Sequence, residues 1–216
     1  MGCNRIGHSA AIGHFSALYA RLAIVPLTTL SPAPKIDILL RAKERFSPSN
    51  AGAISGVVRD LVQASRAAKQ YRILGTAVAN PSMPECFTGL LRKKRWLRGH
   101  NIGLAAAYLE LIETTGAPDL VEVHSRCQVA RYLATKKPAL KICLYLHNDP
   151  RQMKAGGSVA ERRYLLQNMA GIICVSDYIR NCFLDGLDEY SDLASKVGVA
   201  RNGAYRWLKK PPVKEN

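Results

Sequence analysis

A chain of 216 residues, 48% of them apolar, is long enough to bury one good core or two small ones and too apolar to be a disordered segment. Its 31 Lys and Arg outnumber 16 Asp and Glu, which leaves a net charge of +15. Such a charge draws anions (nucleic acid, anionic lipid or phosphorylated substrates) without choosing among them.

Residues 1–34 contain no acidic side chain, and Arg5 and Arg21 are their only Lys or Arg. The apolar run at 15–30 is broken by Arg21 and Pro26 and is too short for a spanning helix. Its bias resembles a transit sequence, and it also fits upstream sequence read from an early start codon. We expect a loosely attached extension, because the first core strand begins only at Ile36.

Residues 36–40 form a short apolar run that reads as a strand. From Ile54 onward the apolar positions Ile54, Val57, Val58, Leu61 and Val62 take helical spacing. The turn between them is rich in Ser, Pro, Asn and Gly. Ser49 or Asn50 is expected to cap the helix, and Gly52 removes a side chain where another molecule approaches the backbone. Strand, small-residue loop and helix N-terminus make an anion site, because unpaired N–H groups and the helix dipole point outward. An ordinary strand-to-helix turn has the same composition. The loop matches neither GxxxxGK[ST] nor GxGxxG, which argues against a standard nucleotide triphosphatase or dinucleotide dehydrogenase.

Residues 72–78 predict a second strand. A long helix follows at 101–114, with Leu104, Tyr108, Leu111 and Ile112 on one side. Further strands are expected at 120–124, 142–146, 172–175 and 197–200, with helices at 129–134, 159–169 and 178–184. This alternation calls for a parallel sheet with helices on both faces, in which ligands bind outside the carboxyl ends of the strands. Those ends carry residues 47–55 after the first strand and Glu122, His124 and Arg126 at the third. His147, Asn148 and Asp149 follow the fourth, Ser176 and Asp177 the fifth, Asn202 and Gly203 the sixth. Two histidines at two strand ends, beside carboxylates and Arg126, point to a site.

The six cysteines are Cys3, Cys86, Cys127, Cys143, Cys174 and Cys182, and no two are spaced CxxC, which argues against a zinc ribbon. Cys143 and Cys174 lie in apolar runs as small hydrophobes, and the set reads as reduced and the compartment as cytosolic. Cys127, beside His124 and Arg126, is a candidate nucleophile for which nothing supplies a third member. The segment 87–100, FTGLLRKKRWLRGH, interleaves Arg92, Lys93, Lys94, Arg95 and Arg98 with Leu90, Leu91, Trp96 and Leu97. It reads either as a solvated helix start or as an interfacial segment. In the second reading the apolar residues enter the headgroups and the cations meet anionic lipid, on the inner face of the plasma membrane. Nucleic acid ranks lowest, since no recognised binding module is visible.

Several stretches resemble glycosyltransferase family 4. FSPSNAGAIS followed by VVRDL is similar to that family's first loop and helix. EVHSRCQVARYLATKKPALKICLYLHNDPRQM and GIICVSDYIRNCFLDGL are similar to later segments, and VGVARNGAY to its sixth-strand ending. The likeness runs over about residues 35–204. It implies a Rossmann-like three-layer α/β/α unit with a mainly parallel sheet, one half of a GT-B fold. It implies the acceptor-side domain of an enzyme that moves a sugar, with retention, from a nucleotide-sugar donor to a glycan or lipid-linked acceptor, as in surface polysaccharide synthesis. A C-terminal donor domain completes the family's fold. The chain stops at Asn216, so we expect that domain to be absent, residues 205–216 to be a linker remnant and the isolated chain to be inactive. By the same resemblance Asn50, Ala51 and Gly52 belong to the loop whose backbone approaches the donor phosphates. His147 contacts the transferred sugar or acceptor as the catalytic candidate. His124 and Arg126 match a polar pair at the third strand, and Asn148 and Ser176 complete the binding set. The family usually needs no metal, no DxD motif occurs here, and no cofactor is expected beyond the nucleotide sugar. Two rival readings stand: a non-catalytic α/β domain that binds an anionic partner, and a truncated inactive gene product.

Overall fold

The computed structural model describes residues 35–91 and 99–202. Seven strands are present: β1 (Ile36–Leu39), β2 (Tyr71–Thr76), β3 (Phe87–Leu90), β4 (Leu120–His124), β5 (Ile142–Leu146), β6 (Gly171–Cys174) and β7 (Val197–Val199). All neighbours pair in parallel, in the order β3-β2-β1-β4-β5-β6-β7. Strands β1, β5 and β6 are buried along their whole length, as the near-continuous apolar runs IDIL, ICLYL and GIIC require of parallel strands covered on both faces.

The helices are α1 (Ala53–Ala64), α2 (Gly99–Thr115), α3 (Cys127–Lys136), α4 (Val159–Asn168) and α5 (Asp177–Leu184). The chain adds β2 and β3 on one side of β1, then returns to add β4 to β7 on the other. Because parallel crossovers are right-handed, that reversal places α1 on one face of the sheet and the later helices on the opposite face. Side-chain alternation agrees. Leu39, Val121, Val123, Leu144 and Ile172 join the core under α2 to α5, while Ile38 and Leu40 pack with Ile54, Val58 and Val62 of α1. A third cluster, Cys143, Tyr145 and Ile173, lies on the α1 face of β5 and β6 and includes no helical residue among those described.

Two polar contacts fix the layers. Asp37, 2% exposed on β1, accepts from Arg72 Nε (2.8 Å) and Nη2 (2.7 Å) on β2 and from the Tyr108 hydroxyl (2.9 Å) on α2. Buried Arg162 on α4 donates to the carbonyls of Phe183 (2.9 Å) and Gly157 (3.0 Å), so the end of α5 and the start of α4 share one guanidinium.

Strand β3 corrects the expectation of a helix start or lipid-facing segment at 87–90. Leu90 is 6% exposed and packs in the main core, and Leu91, 82% exposed, follows it. The strand is short, and Gly89 weakens its pattern. Glycine is required there because a Cβ would lie 2.9 Å from Ala77 Cα. The cations Arg92, Lys93, Lys94, Arg95 and Arg98, with Trp96, lie outside the described residues, as do the expected extension and tail. Among the described residues no helix is long and apolar enough to cross a membrane.

Candidate functional site

The strand order reverses between β1 and β4, and the carboxyl ends of β1, β4 and β5 meet there. The loop after β1 leads into α1 with Gly52 at its N-cap and no side-chain cap, so neither Ser49 nor Asn50 serves as expected. The orphan donors are met from farther away. Glu44 Oε1 accepts the N–H of Ser55 at 3.0 Å, and Oε2 accepts from Arg41 Nε at 3.0 Å and also from Arg41 Nη2. The Glu44 side chain is fully buried. Burial alone would raise its pKa, but the Arg41 guanidinium and the Ser55 amide outweigh that and hold it below the usual carboxylate range. A Cβ on Gly52 would sit 2.0 Å from Glu44 Oε1. Gly52 is therefore small enough to admit a carboxylate of the same chain, and α1 carries its own anion. Asn50 and Ala51 lie exposed just ahead of it.

Strands β4 and β5 build the second part of the site. In LVEVH and ICLYL, Val121, Val123, Ile142, Leu144 and Leu146 face α2 to α5, so Glu122, His124 and Tyr145, with His147 two positions beyond Tyr145, share the other face. His124 pairs across the ladder with Tyr145. Their rings stack at 4.9 Å and 6°, and the His147 ring stacks on Tyr145 at 4.9 Å and 24°. His124 Nδ1 lies 3.0 Å from His147 Nε2, and His124 Nε2 lies 3.4 Å from Glu122 Oε2. With Glu122 as the carboxylate, His124 carries its proton on Nε2. Its Nδ1 then accepts from His147 Nε2–H, which leaves His147 Nδ1 bare. Burial, then His124, then the Arg41 charge push the His147 pKa down to about 3. At neutral pH His147 is thus an uncharged ring that accepts a hydrogen bond, and it is a weak proton acceptor.

Ser125, between His124 and Arg126, is fully buried with φ of 50°. Its amide donates to the Tyr145 carbonyl (2.8 Å) and its Oγ accepts from the His147 amide (3.1 Å), so the turn out of β4 is tied to the end of β5. Arg126 then occupies the N-cap of α3 without capping it, and Nη1 donates to the Ser125 carbonyl at 2.7 Å. Beside it opens a cavity of about 410 Å3, lined by Arg41 and Lys43 from the β1 loop, His100 and Asn101 from α2, Arg126, and Lys154 from the loop after β5. Burial and the nearby Arg41 hold the Arg126 pKa below its ordinary value. The Asn101 side chain accepts from the Ala42 amide at 3.0 Å, which fixes the β1 loop against α2.

The structure therefore brings His124, His147 and Arg126 together at one edge, with Gly52 on the other side of the Arg41–Glu44 pair. Asn148 is exposed directly after His147. Ser176 is the N-cap of α5, and its Oγ accepts from the Ile179 amide at 3.3 Å, a structural use. Cys127 is fully buried, touches Met153, and its thiol is pushed up to about 12 by burial, so it is no nucleophile. Sequence reasoning missed Arg41, Glu44, Tyr145 and Lys154. Only Tyr145 had a signal, the alternation of LHN after CLY. No group of three or more His, Cys, Asp and Glu among the described residues has the arrangement of a metal site.

No family model and no curated protein matches this sequence. Solved structures do. HepE of Anabaena in complex with UDP and glucose aligns at 14% identity and a TM-score of 0.53, over 80% of this chain and 45% of HepE. HepE in complex with UDP-glucose aligns at 11% identity and a TM-score of 0.51, over 80% and 44%. UDP-N-acetylglucosamine 2-epimerase from Rickettsia bellii aligns at 11% and 0.47, over 79% and 45%. The chain thus has a Rossmann-like α/β fold with an all-parallel sheet, and it spans a little under half the length of the solved structures it resembles.

Proposed function

We propose that this chain is the acceptor-side half of a GT-B glycosyltransferase that uses a nucleotide-sugar donor. The observation that carries the reading is the imidazole pair, His124 buried and His147 half-buried, at the ends of β4 and β5, at the switch point of a fold that HepE, crystallised with UDP and glucose, shares over 45% of its length. A neutral His147 with a bare Nδ1 suits a hydroxyl donor such as a sugar ring. His124 and Glu122 hold its tautomer, and Tyr145 holds its plane. His147 acts in this reading by orienting the sugar, not by removing a proton. Charge on a departing diphosphate would be met by preorganised cations and helix amides, and no protein nucleophile is needed. Because Glu44 already fills the α1 terminus, the reading assigns no donor phosphate to Gly52 and leaves Asn50 and Ala51 at the rim.

Sugar transfer needs donor and acceptor held in one near-attack geometry, which one lobe does not supply. The purified 216 residues should bind UDP-glucose weakly but saturably by titration calorimetry and should release no UDP from it. Replacing His147 by Ala should weaken that binding severalfold. Turnover by this chain alone would defeat the half-enzyme reading, and absence of any saturable binding would defeat the nucleotide-sugar reading.

A further inference from the structure

The cavity beside α3 carries an unbalanced positive charge. Arg41 is matched by Glu44, but Lys43, Arg126 and Lys154 form no ion pair among the described residues. Among the described residues no Asp or Glu lines the cavity. The N-terminus of α3 opens on it through Gln128, and α2 contributes His100 and Asn101 from its own first turn. The first backbone bonds of α3 run from the Val129 and Ala130 amides to the Arg126 carbonyl, so the N–H groups ahead of them have no intrahelical acceptor. Two helix N-termini and three uncompensated cations converge on about 410 Å3 of space, a volume in the range of small-molecule sites.

We infer that this cavity seats a phosphate monoester carried by the acceptor, either a soluble sugar phosphate or the phosphate of a lipid headgroup. The assignment deepens the acceptor-side reading and rests on it for the identity of the ligand as acceptor. A dianion matches the uncompensated charge better than a single carboxylate does, and the volume leaves space for the group that bears it. Arg126 gives a forked donor, and Lys154 and Lys43 give point charges. Arg41 repels Arg126 by more than Glu44 attracts it, and a bound anion offsets that repulsion. The charge of Arg41, which lines the cavity, is felt at His147, so the cavity lies within electrostatic reach of the imidazole pair.

Titration calorimetry on the full 216-residue chain tests this with four probes: glucose 6-phosphate, glucose, monomeric dihexanoyl phosphatidic acid and UDP-glucose. Glucose 6-phosphate, the lipid phosphate, or both should bind at least about tenfold more tightly than glucose. Whichever binds identifies the source. The double variant Arg126→Gln/Lys154→Gln should abolish that preference. The control Lys69→Gln/Lys141→Gln removes the same charge at the amino ends of β2 and β5 and should change affinity by less than about twofold. Both pairs replace exposed or half-buried side chains, and equal thermal midpoints would show that neither unfolds the chain. The inference is overturned if neither phosphate binds better than glucose, or if the control pair weakens binding as much as the cavity pair. It is also overturned if UDP-glucose competes with the bound phosphate monoester, because the cavity would then hold the donor's diphosphate. Phosphate binding without any UDP-glucose binding would leave the seat standing and remove the nucleotide-sugar reading instead.

Discussion

The N-termini of α1 and α3 stand at the same edge of the sheet, one after β1 and one after β4, and the chain treats them in opposite ways. Helix α1 is closed from within: Glu44 reaches its first turn, Arg41 neutralises Glu44, and Gly52 leaves the space. Helix α3 has a cation at its N-cap, no side-chain cap and an open cavity beside it. The small-residue turn that looks built for a ligand is filled by the protein, and the turn with a bulky Arg126 is the one left open. A glycine before a helix is thus evidence of close approach by something, and the approaching group has to be found in the structure.

The largest expected effect breaks the closed terminus. Glu44→Ala leaves Arg41 half buried and the Ser55 amide without its acceptor, and should cost about 3 kcal/mol in a urea denaturation series. Gly52→Ala should cost about 2 kcal/mol by forcing the carboxylate away. In the Glu44→Ala background the same change should cost only a few tenths of a kcal/mol, because the atom it strikes is gone. Additive costs would mean that Gly52 is small for some other reason.

On the open side, pH replaces overpacking as the probe. His147 has a folded pKa near 3, below its unfolded value near 6.5, so it binds its proton more readily in the unfolded chain. Its contribution to stability is therefore present above pH 6.5 and is lost as pH falls toward 3. Between pH 7 and pH 4 the loss should be about 2 kcal/mol, after discounting for partial exposure. His147→Gln should flatten the pH dependence by that amount, and an unchanged slope would mean that the ring is not held neutral. The smallest effect is the sharpest contrast: Arg126→Gln and Lys154→Gln, which remove charges from an open terminus, should each shift stability by less than about 0.5 kcal/mol.

Much of this fold can be read from the sequence, because period and punctuation agree over long stretches. Strands β4 and β5 fall at the residues expected, since LVEVH and ICLYL are bounded by polar turns. Strand β3 is not legible because four residues with an internal glycine carry too little pattern, and the run of cations that follows has the composition of a solvated helix start. The two histidines were legible as strand-end residues, but their 3.0 Å contact depends on β4–β5 register, which the sequence does not state. Glu44 and Arg41 were illegible: both lie in a loop, and their meaning depends on the path the chain takes back to Ser55. Lys154 was illegible too: it lines the cavity from the loop after β5, whose next residues, Ala155 with φ of 63° and Gly156 packed on Cys127 and Pro150, take a path that the sequence does not state.

Amide chemical-shift mapping tests the central claim most directly, by adding UDP-glucose and glucose 6-phosphate in turn to isotopically labelled chain. The account predicts saturable shifts at Arg126, Gln128 and Lys154, around the open terminus, with glucose 6-phosphate, and at His147, in the imidazole pair, with UDP-glucose. It predicts none at Ser55, whose N–H is already taken by Glu44. Saturable shifts centred on Ser55 and Gly52, with Arg126 and His147 silent, would contradict it and return the ligand to the loop after β1.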